Sequence, residues 1–261
     1  MKKAVGVDIG ANYLRVSVGT QGGKILKIVR ASTDIHSGPM GISNQIIDMI
    51  HSIETNDVVG IGIGSAGPVD LHKGGLSSPV NMPGLGFVPI VKPLRREFGL
   101  SVILQNDCVA AVMGEKKYGA GRMIKNLVYV TISTGIGAGI YVDGNLLSGK
   151  DGNAHEIGHI TMEIDYGMKC GCGKLGHWEA YCSGKNIPHF VNTLMKKGGR
   201  KQFRNSMLYD LCGQDTSLLT SKMIYDIAKK GDSFCRGIIQ EIGKINAIGF
   251  ANIVNAYDPE L

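Results

Sequence analysis

The sequence predicts an α/β protein of two lobes built to a similar plan. Three observations lead there. Apolar runs of strand length alternate with segments of helical spacing. The outline of strand, polar and Gly-rich turn, strand occurs twice, as VGVDIGANYLRVSVG near the start and as VYVTISTGIGAGIYVDG past the middle, which is a weak internal repeat. A chain of 261 residues is also long enough for two cores, and its 43% hydrophobic and 19% charged content is ordinary for a globular protein. The lobes are expected at 1–108, joined by a C-terminal helix at 245–261, and at 109–244.

The elements follow in order. Ala4–Ile9, Leu14–Gly19 and Lys24–Arg30 read as a three-strand meander with Gly-rich links. The spacing of Ile42, Ile46, Ile47 and Ile50 predicts a helix over 40–53. Val58–Gly64 reads as a strand, Val91–Phe98 as a short helix with Pro93 in its first turn, and Val102–Leu104 as a strand. Cys108–Tyr118 reads as a helix capped by Asp107. Leu127–Ser133 and Ile140–Val142 read as strands around the second Gly-rich turn, and Ile160–Ile164 alternates like another. From Asn186 onward the pattern is mainly helical, ending in Ile239–Val254.

Composition narrows the class. Net charge is +6, but the 28 basic residues are scattered and form no stripe, so a nucleic-acid surface is not expected. The apolar run before Asp8 is far too short for a signal peptide core or a membrane span. A soluble, cytoplasmic protein without a membrane partner is expected. Its six cysteines are then thiols or metal ligands rather than disulfides.

Four segments carry chemistry. Asp8-Ile-Gly10 and Ser133-Thr134-Gly135-Ile-Gly137 each follow a strand, where Gly lets backbone N–H groups approach phosphate oxygens. Thr134 adds a hydroxyl, and Asp8 offers magnesium a hard oxygen. Neither loop is followed by the G-K-[ST] of a Walker motif, and either could be a plain hairpin turn. Asn106-Asp107 stands between a strand and a helix, where Asp107 is either a cap or a general base. His155-Glu156-Ile-Gly-His159 matches the zinc-protease motif H-E-x-x-H. That motif needs a helix, and Gly149, Gly152 and Gly158 argue against one. His159, Cys170, Cys172 and His177 instead compose a tetrahedral set with no open position, as a structural zinc requires. Gly62, Gly64 and Gly67 mimic a dinucleotide fingerprint, but Pro68 denies it the helix that must follow.

Together these segments resemble the ROK family of sugar kinases, within the superfamily of sugar kinases, actin and Hsp70 (ASKHA). The resemblance rests on Asn106-Asp107 with its Ala-Ala helix, on Glu156-x-Gly-His159, and on Cys170-x-Cys172-Gly173-x-x-Gly176 leading to Glu179. The segments GIGIGSAGPVD and NMPGLGFVPI are similar to the family's sugar-side turns. The resemblance implies two ribonuclease-H-like lobes with a cleft, ATP with Mg2+, a structural Zn2+, and Asp107 as the base. It further implies that Asn81, Asn106, Asp107, Glu156, His159 and Glu179 bind the sugar, and that Asp8, Gly10, Asn12, Thr134, Gly135 and Gly137 serve the nucleotide. Phosphorylation of a hexose at its 6-hydroxyl is the activity implied. N-acetylmannosamine kinase and a non-catalytic sugar-binding regulator are the alternatives, and a homodimer or homotetramer is the expected assembly. Three positions depart from the family pattern: Ala11-Asn12 for Gly-Thr, Leu85 for Trp, and His177 for Cys. The family pattern also continues past Pro259-Glu260-Leu261 with a strand and a Gly-Gly turn that help to hold adenosine.

Overall fold

The structure is a computed structural model that describes residues 1–79 and 82–261. By compactness it divides into two units. The first comprises Met1–Tyr129 and Gly139–His155, the second Val130–Ala138 and Glu156–Leu261. Helix 107–118 thus lies wholly in the first unit, past the boundary expected at 108, and the C-terminal helix lies in the second.

The first unit is a five-stranded sheet of order β3-β2-β1-β4-β8. It uses β1 (Lys3–Ile9), β2 (Tyr13–Thr20), β3 (Ile25–Ser32), β4 (Val58–Ser65) and β8 (Ser101–Asn106). The first three strands run antiparallel, as the meander predicts, and β4 and β8 add in parallel. Parallel pairing needs crossovers. These are α1 (Gly41–His51) and α2 (Val91–Phe98), both within a residue or two of the expected ranges. The two-residue period of the strands sends Val5, Val7, Ile9, Leu14, Val16, Ile61, Ile63, Val102 and Leu104 into one core with Ile42, Ile46 and Ile50 of α1. A small antiparallel sheet of β5 (Val69–Asp70), β6 (Gly75–Ser77) and β7 (Phe87–Pro89) interrupts the second crossover and was not legible in the sequence. Helix α3 (Asp107–Tyr118) follows β8 directly.

A further sheet has the order β11-β10-β9, from β9 (Leu127–Ile132), β10 (Ile136–Val142) and β11 (Asn145–Leu146). Strand β10 starts four residues earlier than expected, so the turn shrinks to Ser133–Gly135 and Gly137 stands inside a strand. Apolar Ile136, Ala138 and Ile140 alternate with two glycines, and the apolar face wins.

The second unit is mostly helical: α4 (Trp178–Cys182), α5 (Ile187–Leu194), α6 (Arg200–Arg204), α7 (Met207–Cys212), α8 (Ser221–Lys229) and α9 (Ser233–Tyr257). Residues 160–164 are not a strand. A lone bridge between Thr161 and His177 is all that forms there, because the Cys/His loop folds across the segment. Trp178 and Tyr181 are fully buried against Phe190 and α9. The indole Nε1 donates to Asn246 Oδ1 at 2.8 Å. Gly249 faces the same ring, and a Cβ there would stand 2.5 Å from it.

Alanine in a helix is favoured over glycine by about 1 kcal/mol. A sealed indole cannot yield, however, and overpacking costs about 1–3 kcal/mol. Gly249→Ala is therefore expected to lower the thermal midpoint by a few degrees, a shift that differential scanning calorimetry reads; an unchanged or raised midpoint would refute the packing argument.

Candidate functional site

Within the first unit, β1 and β2 are joined by the turn Gly10-Ala11-Asn12. The Gly10 N–H donates to Tyr13 O at 3.0 Å, and the Thr33 hydroxyl donates to Gly10 O at 2.7 Å, so the turn is fixed from both sides. Asp8 lies opposite Arg15 in the register, and its Oδ2 accepts from the Arg15 guanidinium. Arg15 had no motif to announce it; strand register alone brings it to Asp8. Asn12 is exposed at the turn.

The Asn106-Asp107 pair differs from expectation in one respect. The cap of α3 is Asn106, not Asp107. Its Oδ1 accepts from the N–H of Cys108 at 2.8 Å and of Val109 at 3.4 Å. Asp107 is the first helical residue. It is exposed, and its Oδ1 accepts from the Cys108 N–H at 2.8 Å. With Asn106 capping, Asp107 shares the Cys108 N–H through one oxygen only, at the N-terminal end of the helix. Asn81 lies outside the described residues.

Within the second unit, the hairpin Ser133–Gly135 is held by three backbone contacts. Ser133 N–H donates to Gly135 O at 2.9 Å, Gly184 N–H to Ser133 O at 2.7 Å, and Lys185 N–H to Thr134 O at 3.4 Å. A fourth contact comes from a side chain: Glu179 Oε2 accepts the Ile136 N–H at 2.9 Å. Thr134 is exposed at the tip. Lys185 is exposed beside it, and no phosphate motif in the sequence pointed to it.

The H-E-x-x-H segment is not an α-helix. Ile157–His159 forms a single 3-10 turn, so the two histidines do not share a helical face. Gly158 packs on the start of β10, where a Cβ would stand 2.2 Å from Ile136 O. Glu156 Oε2 lies 3.7 Å from His159 Nε2. His155, a residue without a motif role here, is buried with an Nε2 that has no hydrogen-bond partner among the described residues.

The Cys/His set assembles as the spacing suggested. His159 Nδ1 and His177 Nδ1 are 3.2 Å apart, Cys170 Sγ and His159 Nδ1 are 3.6 Å apart, and Cys172 Sγ and His177 Nδ1 are 3.2 Å apart. All four donor atoms lie within 4.8 Å of one another. A tetrahedral zinc sphere sets its donors about 3.3–3.8 Å apart, and two sulfurs with two imidazole nitrogens suit it. Burial and the neighbouring His159 hold the His177 imidazole below its ordinary pKa, in the neutral form that can ligate. Burial pushes the Cys170 thiol up to about 11. His159 turns Nδ1 to the cluster and Nε2 toward Glu156. Glu179 Oε1 lies 3.8 Å from Cys170 Sγ, so one carboxylate touches both the cluster and the hairpin.

These two sets of residues, an acid-bearing hairpin with a capped Asn-Asp in one unit and a Gly hairpin tied to a Cys/His cluster in the other, define the class that the comparisons also find. The ROK family model matches residues 4–261, and the chain belongs to that family. A glucokinase of Pyrobaculum calidifontis is 34% identical over 261 residues, covering 100% of this chain and 78% of the relative. The crystal structure of a ROK family glucokinase from Streptomyces griseus, in complex with glucose and AMPPNP, is 29% identical with a TM-score of 0.75 over 98% of this chain and 80% of that one. A ROK hexokinase from Thermus thermophilus gives a TM-score of 0.81 at 27% identity, over 99% and 80% of the two chains.

Glu179→Ala is expected to speed amide exchange at Ile136 by about tenfold or more, since a charge-assisted bond contributes about 1.5–3 kcal/mol. Glu179→Gln keeps an acceptor oxygen and should retain most of the protection. Equal exchange in both variants would dismiss the carboxylate as the hairpin's anchor.

Proposed function

We propose that this protein is an ATP-dependent sugar kinase that transfers the γ-phosphate of ATP to the 6-hydroxyl of a hexose, with glucose the first substrate to test. The observation that carries the mechanism is the Asn106 cap, which leaves the Asp107 carboxylate exposed at a helix N-terminus. There it accepts the hydroxyl proton as the oxygen attacks phosphorus. Asn106 retains its amide N–H groups for sugar hydroxyls, and Glu156, His159 and Glu179 are the other residues assigned to the sugar. Asp8, with one oxygen on Arg15, has the other to help hold magnesium. The turns at Gly10–Asn12 and Thr134–Gly135, with Gly137 behind the second, offer N–H groups and a hydroxyl to phosphates, and Lys185 adds a positive charge. The glucose and AMPPNP bound by the Streptomyces griseus relative support the choice of substrates.

The Cys/His cluster holds a zinc ion in this reading, whose part is to fix the loop bearing His159 and the helix bearing Glu179. No helix among the described residues is long and apolar enough to cross a membrane. Six cysteines without a disulfide and a need for ATP suit the reducing cytoplasm.

Asp107→Asn keeps shape and hydrogen bonding but removes the base. Turnover should fall about 10²–10⁴-fold while the sugar Kd, from calorimetric titration, stays within a few-fold. Substantial residual turnover would exclude Asp107 as the base. A panel of glucose, mannose, N-acetylglucosamine and N-acetylmannosamine, ranked by kcat/KM, identifies the sugar.

For the metal, elemental analysis should find one zinc per chain. The Cys170 proton must leave when the thiolate binds, so protons compete with zinc below about pH 11. Zinc affinity should therefore rise with pH, by about tenfold per unit from Cys170 alone. A pH-independent affinity in a chelator competition would count against thiolate ligation.

A further inference from the structure

A cavity in the first unit is lined by none of the residues assigned above. It has a volume of about 300 Å³ and runs along β8 beneath the β5–β6 turn and the first turn of α2. Such a volume sits at the lower end of small-molecule sites, about 300–1,000 Å³, and exceeds what a bare inorganic ion fills. Val102 and Leu104 form part of its wall.

The polar lining is one-sided. His72, Lys73, Lys92 and Arg95 all border the cavity, and no carboxylate does. Lys73 is 70% exposed and lies 3.5 Å from Asp70, which leaves ammonium donors over. Lys92 is exposed and has no ion pair among the described residues. Arg95 is pre-set by its own fold: one Nη donates to Val102 O at 3.0 Å, tying α2 to β8 and fixing the guanidinium at the rim. A planar guanidinium so held keeps further N–H groups for an anion. The first turn of α2 has no acidic residue and presents the positive end of the helix dipole. Strand β8 is last in its sheet, so no neighbouring strand takes the hydrogen-bonding groups on that side.

An open groove of mixed polar and apolar lining, with three permanent cations and a histidine, suits a phosphoryl dianion on a small organic body. We propose that this cavity binds a phosphorylated small molecule of sugar-phosphate size. The ligand chemistry is the phosphomonoester group, which a sugar phosphate and free phosphate share in part. The inference stands on the cavity and does not rest on the kinase reading. Should that reading also hold, the occupant belongs to the chemical class of the reaction's product.

Calorimetric titration of the full chain tests this, with glucose 6-phosphate, inorganic phosphate and uncharged glucose as probes. Lys73→Ala/Lys92→Ala should weaken a glucose 6-phosphate site by at least about tenfold, because charge-assisted bonds dominate such contacts. The ATP Kd should stay within about twofold. Both lysines are exposed, so the fold is preserved. Lys92→Gln alone, expected to weaken the site by about threefold, avoids disturbing the Asp70–Lys73 pair. Inorganic phosphate binding as tightly as the ester, with the same loss in the variants, supports the site and makes the free ion its ligand. A preference for the ester supports it and makes a sugar phosphate the ligand. Unchanged glucose 6-phosphate binding in the double variant, or a parallel loss of ATP binding, overturns the proposal.

Discussion

The second unit depends on what one carboxylate does with its two oxygens. Glu179 receives the Ile136 N–H on one and the Cys170 thiol on the other. The first contact sets the end of the Ser133–Gly135 hairpin. The second reaches the Cys/His cluster. Neither would be accurate if Glu179 could wander, and it cannot, because its neighbours Trp178 and Ala180 are sealed in the core. The indole is bonded to Asn246 and sits on Gly249, so the longest helix of the chain supports a five-residue one. Burial of an aromatic ring contributes about 2–3 kcal/mol. That suffices to hold a short helix that has no propensity to form alone.

The first unit solves a related problem by different means. A carboxylate that caps a helix has its oxygens occupied by backbone N–H groups. Placing Asn one residue earlier gives most of that duty to an amide. The Asn106 amide oxygen accepts the N–H groups of Cys108 and Val109, and Asp107 accepts the Cys108 N–H through Oδ1 alone. The strand β8 leads straight into α3, so the position of this pair follows from sheet register. Ser65 and Asn106 end adjacent parallel strands.

The sequence made the first unit's sheet legible because strict alternation of Val, Leu and Ile marks buried faces, and helix spacing marks α1 and α2. It made the Cys/His cluster legible because thiols and imidazoles at close spacing have few other uses. It misplaced the cap, since Asn and Asp are equal as capping residues and only φ and ψ at 106 distinguish them. It misread 160–164, where alternation arises in a segment without a strand neighbour. It shortened β10, because glycines at 137 and 139 read as turn, whereas Gly139 stands in the strand where a Cβ would lie 2.3 Å from Cys108 O. Arg15, Lys185 and the basic cavity left no local signal. Each depends on residues brought together by register or by crossover, which a linear pattern does not record.

Under the proposed function, chemical hardness separates the two metals involved. The second unit presents sulfur and imidazole, which favour zinc and exclude magnesium. The first unit presents Asp8, a carboxylate already sharing an oxygen with Arg15, which is a weak ligand by itself. A lone carboxylate of this kind binds magnesium usefully only when phosphate oxygens complete the sphere. Under the proposed function, the hard metal would arrive with the nucleotide while the soft one would stay with the fold. His177 suits this division: with a second imidazole in place of a third thiolate, a bound zinc would leave the cluster with no net charge, and Glu179 would sit beside a neutral centre rather than an anionic one.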